Sequence, residues 1–498
     1  MFCQLVYLRR CIPGRIRRAL DELPETLDET YTRTLEEIDE QNWEYAYRLF
    51  QCVTAASRPL LVGELAEFLA FDFEAGSTPT ILPDWRPEDP THAVISMCSS
   101  LLSVVKPHYG SPVVQFAHFS VKEYLMSARL AKAKDTISRF HVSMTAAHTI
   151  VAQACLGVLL HLGENVTKDS LEKFPLAEYA AEHWVGHARF ENVSLKVQDG
   201  MKRLFDPSES HLSAWVWVHD PEDSRRRFRR FERPGKARAT PLHYAAFCGI
   251  HDIAAFLIVE DSQDVNARGF DRKETPLHVA SHRGHADVAQ LLLEHGADAD
   301  AQDDEKRTSL IRASSHGHVK VARVLLEHGA DTEARDEETW SPLERALWEG
   351  HVEVAQVLLE HGADVKAQDR DNWTPLHVAR GEEAARLLLK HGSDVNALNN
   401  EDMTPLYHAS ALGRVGTARA LLEHGADANA RDAKNSTPLH VASHERVPAV
   451  AQLLLQHGCD IHALDDAGQT PFMVAAALGD QRIMKLLLEY GADDHRKR

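Results

Sequence analysis

Thirty histidines are spread through a chain of 498 residues, and imidazole is the side chain best suited to hold a metal or move a proton near neutral pH. Spacing decides whether they could. A catalytic zinc helix needs H-E-x-x-H, which puts two imidazoles on one helical face, and that pattern does not occur. His351 and Glu353 form H-x-E without the P-C-x-x-C that completes a zinc deaminase. The seven cysteines, at positions 3, 11, 52, 98, 155, 248 and 459, contain no C-x-x-C pair, so neither a zinc knuckle nor a disulfide framework is expected. A phosphate cradle needs G-x-x-x-x-G-K-[ST]. Here Gly235-Lys236 is followed by Ala237, and Arg230 stands where the first glycine belongs. No G-x-S-x-G elbow presents a nucleophilic serine. No catalytic residue, metal or cofactor is therefore assigned, and no small-molecule substrate is implied.

What places most of the histidines is a repeat. T-P-L-H-like tetrads begin at Thr240, Thr275, Thr308, Ser341, Thr374, Thr404, Thr437 and Thr470, mostly 33 residues apart. A second marker, H-G, recurs with Gly296, Gly329, Gly362, Gly392, Gly425 and Gly458. Thr is a good N-cap, and Pro suits the first helical turn, where its missing N–H costs nothing. Gly284, Gly317 and Gly350 suit the end of a first helix. The V-A-x-x-L-L-L run makes the buried stripe of a second helix, which the glycine of H-G-A-D stops in a left-handed turn. Eight such repeats match the ankyrin signature over residues 239–498. No repeat can bury its apolar face alone, so stacking must stabilise the whole.

Departures from the pattern carry expectations. The third repeat reads TSLI (Ser309, Ile311), the fourth SPLE (Glu344), the sixth TPLY (Tyr407) and the last TPFM (Met473). These four should lose the tetrad histidine and its hydrogen bonds. The fifth is three residues short around Gly381, so a clipped first helix and a local kink are expected. Trp340, Trp373 and Met403 occupy one hairpin-tip position in consecutive repeats, and Trp348 lies on a first helix. Aromatic and Met side chains are enriched at interface hot spots, so these four are the candidate partner-binding residues. The alternative is that they only pack on neighbouring repeats. The tips also carry Asp303, Asp304, Glu305, Asp336, Glu337 and Glu338, which either favour a basic protein partner or keep the stack in solution.

The net charge of −19 argues against a general nucleic-acid binder, and residues 239–498 hold 42 Asp/Glu against 26 Lys/Arg. The apolar run TIVAQACLGVLLHLG reads as too short for a bilayer, and the amino terminus lacks a signal-peptide layout, so the expected compartment is the cytoplasm. A basic linker, residues 223–238, offers nuclear import as the alternative.

The amino-terminal half reads as helices over residues 15–50 broken at Pro24, then a winged helix over 51–140 and a helical connector over 141–222. Within it, RPLLVGELAEFLAFDF reads as a helix, and SVKEYL as a helix with a Ser120/Glu123 capping box. The segment Pro59 to Trp85 and the helix AVISMCSSL contain no Lys or Arg, so major-groove reading is not expected. ALDELPETLDETY, RPLLVGELAEFLA, CSSLLSVV, VQFAHFSVKEYL, FPLAEYAAEHWVGHARFE and HLSAWVWVHD resemble segments that follow the nucleotide-binding module in fungal NACHT–ankyrin proteins, of the STAND class of signalling ATPases. The resemblance implies a winged helix, a helical connector and an ankyrin sensor in NLR-like signalling. It also implies an ATPase module for which this sequence has no Walker A motif. The expected fold is mostly α. The expected function is non-catalytic protein binding through the concave ankyrin groove, and the alternative is the carboxy-terminal sensor part of such an ATPase.

Overall fold

Each tetrad opens a helix. Thr240, Thr275, Thr308, Ser341, Thr374, Thr404, Thr437 and Thr470 are N-caps with extended backbone, and the first helices that follow reach from Pro241–Cys248 in repeat one to Pro471–Leu478 in repeat eight. Second helices run antiparallel behind them, from His251–Val259 to Gln481–Glu489. In Val352–Glu360 the buried set is Val354, Ala355, Val357, Leu358 and Leu359, a stripe of helical period that meets the second helices on either side. The structure, a computed structural model, describes residues 27–74, 78–98, 100–107, 110–133, 135–162, 166–167, 171–220 and 238–492. It divides into two compact units, residues 1–237 and 238–498.

The tetrad histidines join one repeat to the next. The Thr275 N–H donates to His278 Nδ1 (3.2 Å), while His278 Nε2 lies 2.8 Å from the Arg307 carbonyl. A carbonyl only accepts and an amide N–H only donates, so the ring is neutral with its proton on Nε2. His377 and His440 repeat the arrangement, donating to the carbonyls of Met403 and Gln469, and His243 likewise reaches that of Glu274. Where the histidine is missing, the bonds are not all lost as expected. In repeat three, Thr308 still caps its helix, and the adjacent Arg312 binds Asp303 of its own hairpin and Glu274 of the preceding one, with no bond to the next repeat among the described residues. In repeat four, Glu344 accepts from the Ser341 N–H (2.7 Å), which keeps the helix cap. In repeat six, the Tyr407 hydroxyl donates to Asp432 of the next hairpin (2.8 Å).

A second set of histidines explains the glycine before each. Gly249, Gly284 and Gly317 take positive φ, and a Cβ on them would meet the rings of His285, His318 and His351 within 2.5–2.7 Å. His318 Nε2 also donates to the His282 carbonyl (2.9 Å). Gly350 has the same left-handed backbone, φ 84°, but open space around it, because repeat five carries no histidine there.

In the first unit, strands β1 (Leu60–Leu61), β4 (Leu102–Val105) and β5 (Val113–Phe116) form an antiparallel sheet in the order β1-β5-β4, and β2 (Phe71–Asp72) pairs with β3 (Thr80–Ile81). The wing of the winged helix, β4 and β5, is therefore extended by a third strand, β1. The single helix expected over RPLLVGELAEFLAFDF is instead β1, the short helix Val62–Glu67, a 3-10 turn and β2. The Ser120/Glu123 capping box is also corrected. His118 is the N-cap of Phe119–Leu125 and accepts from the Ser120 N–H, and the Ser120 hydroxyl bonds Tyr31. Pro24 and most of the basic linker lie outside the described residues.

Helix Trp43–Ala55 runs through the division placed at residue 50 and packs on Met144–His161, which also packs on Ala177–Ala188. By length and composition Met144–His161 reaches what a membrane span requires, contrary to the sequence estimate; 56% of it is buried inside the protein. Glu67 ties winged helix to connector, accepting from the Leu176 N–H and Arg86, each at 2.6 Å. Trp184, Phe205 and Trp215 close the connector's core at ring separations of 5.5–6.1 Å.

Acid should loosen the stack. Burial first, with nearby cations second where they occur, holds His243, His278 and His408 down to about 4 and His282 to about 3, and lowers His316, His377 and His440 too. Between pH 6.5 and about 4 the unfolded chain then binds more protons, so stability falls as pH falls through that window. Buried Glu274 and Glu344, pushed up by desolvation, oppose this but are fewer. Thermal unfolding followed by circular dichroism should show a midpoint several degrees lower at pH 5 than at pH 7; an equal or higher midpoint would contradict the neutral-histidine lock. Separately, Gly350→Ala should cost about 1 kcal/mol of backbone strain. Gly284→Ala should cost about 1–3 kcal/mol more, because the His318 ring must move and its hydrogen bond fail. Denaturant titration of the two variants reads the difference.

Candidate partner-binding face

The hairpins set the register of the candidate residues. Asp336, Asp369 and Asn399 accept at Oδ1 from the backbone N–H groups of Trp340, Trp373 and Met403, at 2.8–2.9 Å. The residue before each, Thr339, Asn372 or Asp402, is left-handed, with φ of 72°, 58° and 56°. Trp340, Trp373 and Met403 thus hold equivalent positions in three consecutive hairpins. All three, and Trp348, are half-buried.

The four residues fall into separate groups. Trp340 meets Trp348 edge to face at 5.2 Å, and the Arg345 guanidinium lies 4.8 Å from the Trp340 ring centre. Arg345 is anchored in turn by Asp336 and Glu338. Beyond Trp348 come Arg380 and Arg414, 4.5 and 5.3 Å from its ring. Together they make a strip that follows the first helix of repeat four from its hairpin to its far end. Trp373 belongs elsewhere, edge-on to His408 at 4.4 Å. Met403 is joined to that second group through its carbonyl, the acceptor for His377. Sequence reasoning missed Arg345, Arg380 and Arg414. The signal was available in Gly413-Arg414, which stands where other repeats have Gly-His.

The strip lies on a junction unlike the others. Elsewhere in the stack four kinds of link recur between repeats. The tetrad histidine reaches a carbonyl. The second histidine, or Arg414, sits over the preceding turn. A hairpin N–H donates to the hairpin before it, as Glu337 to Glu305 and Asn400 to Asp371. And the aspartate N–H of H-G-A-D or H-G-S-D donates to the preceding repeat's side chain: Asp298 to Asn266, Asp331 to Asp300, Asp364 to Glu333, Asp427 to Asn396, Asp460 to Asn429.

Among the described residues, none of these four links joins repeat four to repeat five. Glu344 bonds its own N-cap and Arg335 and not the next hairpin, Gly350 has no ring above it, Lys366 has no acceptor for Asp394, and no bond between hairpins spans the junction. Glu344, pushed up mainly by burial, also feels the like charge of Asp369. As expected, the fifth repeat is clipped: its first helix is the single turn Pro375–Val378. Repeat six completes it, with Arg414 donating to the Val378 and Ala379 carbonyls and Thr417 Oγ1 accepting from the Gly381 N–H.

Lys366→Asn should restore one link, with Asn Oδ1 accepting from Asp394, and stabilise the stack by about 0.5–1.5 kcal/mol. Urea unfolding should shift to a higher midpoint; no shift would mean that the junction's side chains are not what limits it.

Comparison with known proteins agrees with the helical stack. A family model of ankyrin repeats (3 copies) matches residues 229–303, 277–369, 365–432 and 427–498. The winged helix domain of GPI inositol-deacylase matches residues 37–138. "Azaphilone pigments biosynthesis cluster protein L" of Monascus ruber is 32% identical over 294 residues, 56% of this chain and 61% of that protein. The chain thus spans about three fifths of that relative's length. The crystal structure of the ankyrin repeat domain of Bcl-3 aligns over 51% of this chain and 100% of its own, at 26% identity and a TM-score of 0.35.

Proposed function

The chain belongs to the ankyrin-repeat proteins, a fold that supports protein–protein interaction and is typically non-catalytic, and on that premise we propose that its task is to bind a protein partner along the face bearing Trp340, Trp348, Trp373 and Met403. The observation that carries this is the strip itself. Two tryptophans and three arginines, drawn from repeats four, five and six, stand together along one first helix, in a stack whose other stripes are buried Ala, Val and Leu. Trp and Arg are the residues most often found at the energetic centre of an interface, because a flat ring or guanidinium desolvates much area at little entropic cost. Binding there needs no bond chemistry and no cofactor.

The finer setting we propose is NLR-like signalling in the cytoplasm, with the repeats as the sensing half and the winged helix as the part that couples sensing to a NACHT module. The winged-helix match over residues 37–138 favours it, because that domain type occurs in NACHT proteins. Mapping the 5′ end of the native transcript tests it, through the presence or absence of an upstream exon that encodes a Walker A motif.

For the binding face, Trp340, Trp348 and Trp373 replaced together by Ala should weaken capture of the partner by at least tenfold, since a hot-spot truncation costs about 2 kcal/mol or more. Partners purified on the wild-type chain and identified by mass spectrometry are then titrated against the folded triple variant. Unchanged affinity would move the binding site off this face.

A further inference from the structure

Arg380 and Arg414 differ from Arg345, the third arginine of the strip, which faces Trp340 and is paired with Asp336 and Glu338. Arg380 is exposed and joined to no carboxylate among the described residues, and Arg414 spends its Nη1 protons on two backbone carbonyls. Both guanidiniums face the same Trp348 ring, at 4.5 and 5.3 Å. Arg414 is lowered to about 10, first by burial and then by the nearness of Arg380, so the two cations repel each other without a local anion to relieve them. In a chain of net charge −19, two adjacent uncompensated cations stacked on one indole are a positive spot in a negative field. Leu412, two residues before Arg414, leaves 50% of its surface exposed beside the same turn.

Building on the proposed binding face, we propose that Arg380 and Arg414 form a carboxylate clamp, which takes an Asp or Glu side chain of an acidic segment of the protein partner against Trp348. A planar guanidinium presents paired N–H donors that match the two oxygens of a carboxylate, and the indole holds the plane in place. The partner's anchoring segment is then acidic, the reverse of the basic partner favoured by the hairpin charges alone. The incoming carboxylate also bridges repeat five, through Arg380, to repeat six, through Arg414, against Trp348 of repeat four.

The test uses the full-length chain and a random dodecapeptide display library. Wild type should enrich peptides containing Asp or Glu. A synthetic peptide of the enriched sequence should lose affinity on the order of tenfold for Arg380→Glu, and the same peptide with Gln and Asn in place of its acids should lose it equally. Arg380→Glu is chosen because Arg380 makes no hydrogen bond that folding depends on; Arg380→Lys, which keeps charge without the planar fork, should fall between. Enriched peptides without acids, or equal affinity for wild type and Arg380→Glu, would overturn the clamp. Sensitivity to Trp340→Ala with indifference to Arg380→Glu would overturn the clamp while leaving the binding face standing. Enrichment of acidic peptides that is indifferent to both would overturn the clamp and the face together.

Discussion

One neutral imidazole, bound at both nitrogens, is what the repeated half is built around. At His278, His377 and His440 the ring accepts from its own helix's N-cap at one nitrogen and donates to the next repeat's hairpin at the other. A helix start has orphan N–H groups and a hairpin end has an orphan carbonyl, and the ring answers both while buried. Local order and stacking are thereby made one event. Protonation would turn the accepting nitrogen into a second donor facing an N–H, which is why burial and neutrality go together here.

The substitutions at the tetrad show what such a stack tolerates. Arg312, beside the missing histidine of repeat three, ties its own hairpin to the preceding one through Asp303 and Glu274 and leaves the next repeat untouched, a solution that holds only while all three partners remain. Tyr407 keeps a donor and shifts its acceptor to a side chain. Glu344 keeps the cap but gives nothing to the following repeat. Its effect coincides with that of Lys366 and of the shortened fifth repeat, so several departures that are each mild accumulate at one boundary. In a near one-dimensional solid, where each layer sees only its neighbours, cooperativity is limited by the weakest interface. The aromatic and arginine side chains are gathered on that interface and use the surface which the missing links leave open.

Much of this was legible from residue types. T-P-L-H predicts its N-cap because Thr, Pro and the ring nitrogen each do one local job, and the glycines predict left-handed turns because the backbone there excludes a Cβ. The short fifth repeat was visible as three missing residues. Other features were not visible, since they depend on pairing at a distance. That Glu344 would preserve a cap, or that Tyr407 would find Asp432, is decided by a hairpin 25 residues away in the second case. The arginines around Trp348 come from two other repeats, and no single window of sequence contains them. In the first unit the β1 strand was missed because Leu60–Leu61 is two residues long and acquires its identity only by pairing with Val113 and Val114. His118 was missed as a cap because an imidazole is a rarer N-cap than the serine two residues later.

The way repeat six completes repeat five has a consequence for how the chain is made. A ribosome delivers residues from the amino terminus, so the stub helix Pro375–Val378 emerges before Arg414 and Thr417 exist to satisfy its loose carbonyls and the Gly381 amide. Earlier repeats wait in the same way, since the Phe247 and His282 carbonyls accept from His285 and His318 of the repeat that follows, but their first helices are two turns long. The stub is a single turn, so it has the least of its own to hold it during the roughly forty residues before its successor arrives.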